Sequence, residues 1–393
     1  MHIVLTVNYS PWSAYCGGGQ LSTHQLANAL GALGHEVEVI YTKPPWEKVE
    51  ITERLAYGAR FAPFCALRSR RRAVLRPFNA LFVAHSVGRE LSRRRSSRQK
   101  TVVHSQGEEG ALIPLLRRRH SFGFVVTPRY PNLPEACLDD RPGLLKKTAL
   151  GLFDFKYVAL GRMLKAADRV CPTSRASAAQ MARAYGLEER RLRIVPNGVN
   201  PVFLEGCRFA DASGGPILFF GRLSRSKGPE IVLKAYLLLP PPRPRLLLVG
   251  RGELWESLDR RISGLGPGQS VSLLPWQPPR ELARLLFSAS MAVLPSREES
   301  FGNAMLEAMA AGAPLISTHV DSIPEIVGHE QTGLLVPPGD PDALAAAMTR
   351  LQKNPDDAEA LGRRARQYAR GHFSWHATAQ RFVELYQGIE AAS

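Results

Sequence analysis

At 393 residues the chain is long enough for two domains of ordinary size, and its hydrophobic fraction of 45% belongs to a folded protein rather than a disordered one. No apolar run approaches the roughly 18 residues of a membrane-spanning helix, and the opening residues read as a strand rather than a signal peptide. The formal charge of +16 is lopsided: residues 1–200 hold 31 Lys and Arg against 15 Asp and Glu, while residues 201–393 hold 20 of each.

That asymmetry points to an anionic partner for the first half, either lipid headgroups or an anionic acceptor. Solvated arginine-rich faces would look the same. The densest runs are Arg68, Arg70, Arg71, Arg72 and Arg76, then Arg93, Arg94, Arg95, Arg98 and Lys100, then Arg117, Arg118 and Arg119. No nucleic-acid-binding motif accompanies them, so nucleic acid is not expected as a partner. The five cysteines (Cys16, Cys65, Cys137, Cys171, Cys207) form no CxxC pair. Reduced thiols in a cytoplasmic protein, and no zinc site, are the expectation.

In chain order, residues 3–7 form a first strand. Gly17, Gly18 and Gly19 follow in a loop, Leu26, Ala29, Leu30 and Leu33 recur at helical spacing, Gly34 stops the helix, and residues 37–41 make a second strand. Strand, glycine loop, helix, strand opens a doubly wound domain. The glycines permit close backbone approach to a ligand at a helix start, although a flexible loop gives the same pattern. Residues 80–91 read as a helix, and the segment 68–82 either lies on a membrane surface or is a buried helix with basic ends. Strands are expected at 101–104, 122–127 and 168–171, with His104 and Gln106 after the first of these and Arg129 after the second. Residues 174–185 are helical. Asn197-Gly198 marks a turn, and residues 200–216 are the linker.

The second half opens with a strand at 217–220 that runs into Gly221-Arg222, with Lys227-Gly228 five residues on. Two cations at a strand end can hold a diphosphate, the arginine as a fork and the lysine as a point charge. Strands follow at 246–249 and 271–274, the second leading to Trp276, for which packing in the core is expected rather than a place beside a nucleobase. Residues 289–294 are a buried strand, 296–302 a polar loop and 303–311 an Ala-rich helix stopped by Gly312. Glu299 sits in that loop at the carboxyl end of a strand, where open α/β sheets bind ligands, and Glu307 one turn into the helix. From spacing alone, a helix-capping Glu299 and a solvated Glu307 are the simpler reading. Residues 374–389 form a last amphipathic helix.

The wording of that stretch decides otherwise. Glu299-Ser-Phe-Gly-Asn-Ala-Met-Leu-Glu307-Ala-Met-Ala-Ala-Gly-Ala-Pro314 resembles the E-x7-E signature of family 4 glycosyltransferases, retaining enzymes of GT-B fold. Gly221-Arg222…Lys227-Gly228 is similar to the family's G-R-x5-K-G pattern, and residues 17–39 and 193–199 look like its first-domain elements. The resemblance implies an α/β GT-B architecture, two Rossmann-like domains facing each other across a cleft. The acceptor-binding domain would span residues 1–200 and the nucleotide-sugar domain 201–372. Residues 373–393 would cross back to brace the first domain.

The resemblance also implies roles. Glu299 would meet donor-sugar hydroxyls and Glu307 the ribose hydroxyls. Arg222 and Lys227 would grip the diphosphate and stabilise the leaving group, helped by Gly18, Gly19 and backbone near Phe301, Gly302, Asn303 and Ala304. Arg129 stands where many members carry a histidine beside the donor sugar. The expected reaction moves a hexosyl unit from a nucleotide-sugar to an acceptor hydroxyl with retention and without a metal or other cofactor. UDP is the first base to try, with GDP and ADP open. The acceptor would be a sugar or a lipid-linked, cell-envelope glycan, reached from the cytoplasm or the inner face of the membrane. The alternatives are a catalytically silent scaffold of the same fold or a sugar-nucleotide epimerase.

Overall fold

The computed structural model describes residues 1–13, 16–51, 53–64, 76–94, 99–129, 158–206, 214–266 and 270–389, with the side chains of 76–78 excepted. Two compact units emerge: Met1–Gly198 together with Trp375–Ser393, and Val199–Ser374.

The first unit holds six parallel strands: β1 His2–Val7, β2 Glu36–Lys43, β3 Gly58–Pro63, β4 Thr101–Ser105, β5 Gly123–Val126 and β6 Arg169–Val170. Their order is β3-β2-β1-β4-β5-β6. Every residue of β1 is buried, as a central parallel strand covered on both faces requires. Its side chains alternate between two cores. Ile3, Leu5 and Val7 join Leu26 and Leu30 of the Gly18–Ala32 helix and Phe382 and Tyr386 of the Trp375–Gln387 helix. Val4 joins Val83 and Val87 of the Arg76–Arg93 helix. The last helix is tied on further by Thr378 Oγ1 to the Pro196 carbonyl (3.0 Å) and Lys100 Nζ to the Gln387 carbonyl (2.8 Å).

Strand β3 escaped the sequence reading. Gly-Ala-Arg-Phe-Ala-Pro has no clear alternation, and the strand is an edge paired only with β2. Part of the basic surplus is spent inside this unit. Glu90, 2% exposed, faces Arg60 (3.2 Å), Arg93 (3.5 Å) and Arg94 (3.6 Å), and Arg94 also holds Glu36. Arg117 pairs with Asp168. Arg118 and Arg119 are exposed. Arg68, Arg70, Arg71, Arg72, Arg95 and Arg98, and with them most of segment 68–82, lie outside the described residues. No described helix is long and apolar enough to cross a membrane.

The second unit repeats the plan: β7 Ile217–Arg222, β8 Leu246–Arg251, β9 Val271–Leu274, β10 Met291–Leu294, β11 Leu315–Thr318 and β12 Leu334–Val336, ordered β12-β11-β10-β7-β8-β9 and parallel throughout. In each sheet the chain winds outward from one central pair, β1 and β4 in the first and β7 and β10 in the second. Ligands of open α/β sheets bind outside the carboxyl ends of strands at such switch points.

Candidate active site

At the β7/β10 switch point, three loops lie side by side. Arg222 is the last residue of β7; its guanidinium is exposed and has no hydrogen-bond or ion-pair partner among the described residues. Lys227 follows, and Gly228 takes the left-handed conformation (φ 69°) that starts the Pro229–Leu238 helix. A Cβ on Gly228 would stand 2.6 Å from the Pro295 carbonyl, so only glycine lets the two loops come this close.

The loop after β10 carries Glu299. Lys227 Nζ lies 2.5 Å from Glu299 Oε2 and 3.4 Å from the Glu298 carbonyl, and Ser296 Oγ is 3.5 Å from the same carboxylate oxygen. The pair is partly open, at 21% and 14% exposure. Its backbone is clamped from both sides. Arg297 N–H donates to the Ser226 carbonyl (2.7 Å) on the β7 side. On the β11 side, Asp321 Oδ2 accepts from the Glu299 N–H (2.9 Å), Ser322 Oγ donates to the Glu299 carbonyl (2.8 Å), and Thr318 Oγ1 donates to the Ser296 carbonyl. Asp321 has φ 43°, a left-handed backbone that Asp tolerates better than most residues.

The Asn303–Ala311 helix then begins at Gly302 (φ 104°) with no side-chain cap and no acid in its first turn. An uncapped N-terminus offers N–H groups and the positive dipole end to an anion. Phe301 turns inward, 5% exposed, its ring packed edge-on against Phe373 at 6.2 Å. Ala304 packs on the same core, so these two residues act here through backbone and shape. Glu307 is half-buried on this helix, with no hydrogen-bond or ion-pair partner among the described residues. Burial without a compensating charge pushes its carboxyl up to about 8.

Trp276 corrects the sequence reading: it is 39% exposed, in the loop after β9, with the Arg251 guanidinium 5.4 Å over its ring. A cation–π contact at a strand end, not core packing, holds the indole.

At the β1/β4 switch point of the first unit, Gly17 caps the Gly18–Ala32 helix and bonds Gln20 Oε1 (3.0 Å), so Gly18 and Gly19 belong to the first helical turn rather than to a loop. Arg129, just beyond β5, lies against Gly19, its Nε 4.0 Å from where a Cβ there would be. Its guanidinium donates to Asn197 Oδ1 (3.2 Å), Thr23 Oγ1 (3.2 Å) and Gln106 Oε1. Gln106 in turn lies 3.1 Å from His104 Nε2. His104 is fully buried between Tyr386 OH (2.6 Å) and Thr127 Oγ1 (2.8 Å), and burial, with Arg129 nearby, drops its pKa to about 3, so it stays neutral.

Sequence reasoning singled out Glu299, Glu307, Arg222 and Lys227 but gave no site role to Asp321 or Ser322, which sit 22 and 23 residues beyond the Glu299 backbone groups they hold. Among the described residues no cluster of His, Cys, Asp or Glu has a metal-binding arrangement.

Comparison with known proteins places the chain in a family. Residues 213–368 match the model of glycosyl transferases group 1, and residues 16–203 that of glycosyltransferase family 4. A D-inositol 3-phosphate glycosyltransferase of Segniliparus rotundus is 28% identical across 98% of this chain and 88% of its own length. Two further proteins of that name align over 57% of their own lengths. Among solved structures, sucrose-phosphate synthase of Thermosynechococcus elongatus superposes with a TM-score of 0.80 at 24% identity, covering 98% of both chains. Anabaena HepE in complex with UDP-glucose gives 0.73 at 16% identity, over 99% of this chain and 100% of its own. The chain belongs to the family 4 glycosyltransferases and has the GT-B fold.

Proposed function

We propose that this family 4 glycosyltransferase moves a hexosyl unit from a nucleoside-diphosphate sugar to an acceptor hydroxyl with retention of configuration. The observation that carries the reading is the convergence of Arg222, the Lys227–Glu299 pair and the uncapped Asn303–Ala311 helix at one switch point. The diphosphate takes Arg222, Lys227 and the helix N-terminus, two cations and a dipole end that hold the charge growing on the leaving group. No metal enters the scheme. Once phosphate claims Lys227, Glu299 is released to accept from donor-sugar hydroxyls. Glu307, neutral over most of the range below about 8, both donates and accepts toward a ribose diol.

The acceptor oxygen bonds the anomeric carbon on the face from which the diphosphate leaves. The carbon–oxygen bond to phosphate breaks, and the acceptor's proton passes to the departing phosphate oxygen. No second carboxylate is needed as nucleophile in this front-face route. UDP is the preferred base, in keeping with the neighbour solved with UDP-glucose. The acceptor class is a polyol or sugar hydroxyl, free or lipid-linked. The exposed Arg118 and Arg119 of the basic first unit would attract an anionic acceptor, or the inner membrane face that carries it.

A silent scaffold has one observation in its favour, Arg129 at the position of the family's histidine. Release of sugar or transfer of it from UDP-, GDP- or ADP-hexose, lost in Arg222→Ala, supports the transferase. No turnover of any of the three with folded protein would leave the scaffold standing.

A further inference from the structure

The loop after β1 carries a bulky residue in a backbone conformation that such residues rarely adopt. Tyr9 has φ 61°, an outlier for an aromatic side chain. Strain of this kind persists only where surrounding contacts enforce it, and it clusters at ligand sites. Asp321, another of the three non-glycine residues with positive φ among the described residues, clamps the Glu299 loop.

The enforcing contacts at Tyr9 come from three directions. Its N–H donates to Thr42 Oγ1 (2.9 Å), and that hydroxyl donates to Asn8 Oδ1 (3.3 Å). Gln20, in the first turn of the Gly18–Ala32 helix, donates to the Asn8 carbonyl (2.5 Å). Ser13 Oγ donates to Glu47 Oε1 (2.6 Å), which staples the loop after β1 to the loop after β2.

So held, the Tyr9 ring lies 4.8 Å from the ring of Phe64, the residue after β3, at an interplanar angle of 48°. Both are half-buried, so the pair keeps part of its surface open to solvent. Trp46, in the loop after β2, is 48% exposed. The neighbouring strands β1, β2 and β3 therefore each deliver an aromatic residue just beyond their carboxyl ends, where open α/β sheets bind ligands. Lys43, the last residue of β2, is half-buried there with its ammonium 5.7 Å over the Phe61 ring. Aromatic faces reward a ligand with an apolar face, while a phenol hydroxyl and an ammonium suit polar groups on its rim. A cyclic polyol or sugar has both, C–H groups on its faces and hydroxyls round its edge. A phosphate has no apolar face to offer.

We propose that the Tyr9 ring, backed by Phe64 at the carboxyl edge of the first sheet, is a stacking platform for the ring of a cyclic polyol or sugar acceptor. This deepens the transferase reading and rests on it for the acceptor's place in the first unit.

The test is saturation-transfer NMR on the full chain. Methyl α-glucoside and myo-inositol are the ring probes and sorbitol the acyclic control, each with and without UDP. Transfer should reach the ring C–H protons with wild type and with Tyr9→Phe, and sorbitol should receive far less. Tyr9→Asn keeps a residue that tolerates positive φ, so its Tm should hold, while about fivefold more ring probe should be needed for the same signal. Equal ring signals from wild type and Tyr9→Asn overturn the proposal. So does a folded wild type that transfers to no ring probe, or to sorbitol equally well. If Tyr9→Asn does not fold, Phe64→Ala serves, since removing the backing ring should weaken the same signals. UDP signals in the same samples separate two failures. Lost UDP binding with Tyr9-dependent ring transfer intact breaks the donor reading alone, and ring transfer indifferent to Tyr9 with UDP bound breaks this inference alone.

Discussion

The two switch points share a topology and solve the same electrostatic problem in opposite ways. At β7/β10, Lys227 is already neutralised by Glu299, both are partly open to water, and Arg222 stands free in solvent. At β1/β4, the half-buried Arg129 guanidinium donates to three neutral side chains, Asn197, Thr23 and Gln106, with the Glu109 carboxyl, raised to about 7 by burial, nearby. A pair that stays partly open to water can exchange one partner for a ligand at modest cost; a cation held by neutral hydrogen-bond acceptors keeps its charge but not a counter-charge. The second unit leaves its two cations within reach of an incoming anion, whereas the first ties its arginine to neutral side chains.

Breaking that contrast on the second unit's side gives the largest expected effect. Arg222→Ala or Lys227→Ala should lower kcat/KM for nucleotide-sugar by roughly 10²–10³-fold, the usual loss when a transition-state charge stabiliser is removed, with Tm unchanged. Steady-state rates and a melting curve check both halves.

Glu299→Gln separates gripping from catalysis. It releases Lys227, so nucleoside diphosphate should bind about threefold tighter while sugar transfer falls about 10- to 100-fold, signs that diverge only if the pair is an exchange partner. Parallel loss of both would mean that Glu299 merely shapes the loop.

Asp321→Ala tests the clamp behind Glu299. The Glu299 N–H loses its acceptor, and kcat should fall about tenfold with nucleotide affinity unchanged. Asp321→Asn, which keeps an acceptor oxygen, should restore most of it. Equal loss in the two variants would point to charge rather than positioning.

A fourth effect is one of pH, read on stability rather than on rate. The carboxyl of Glu307 is raised from 4.5 to about 8 in the fold, so the folded state binds its proton more tightly than the unfolded state. That contribution to stability is fully present below about 4.5 and is lost as pH rises to about 8. Melting curves of wild type should decline across this window more steeply than those of Glu307→Gln. Identical slopes would place the Glu307 carboxyl in open water.

What the sequence makes legible is local. Residues 303–311 read as a helix stopped by Gly312, and the helix is Asn303–Ala311, because alanine propensity and a glycine stop act within a few residues. The strands ending in Arg222 and before Glu299 read directly from their apolar runs. Contacts across long separations do not read this way. Lys227 and Glu299 are 72 residues apart, and nothing in either segment says that they pair. Asp321 carries no sequence signal of its own, yet its carboxylate fixes the Glu299 backbone. Arg129 could be read as a departure from a family pattern but not as hydrogen-bonded on three sides, since its surroundings are set by Gly19 and Thr23 of one helix, Gln106 and Asn197, arriving from three other places in the chain. Trp276 was misread because tryptophan is mostly buried on average, and a facing arginine on the neighbouring strand offers it another environment.

The central claim is that Arg222 and its neighbours form a nucleoside-diphosphate grip. Calorimetric titration of UDP, GDP and ADP into wild type and Arg222→Ala, without added metal, tests it most directly. One nucleotide should release clear heat of binding with wild type and none with Arg222→Ala. Equal binding by the two proteins would contradict the account.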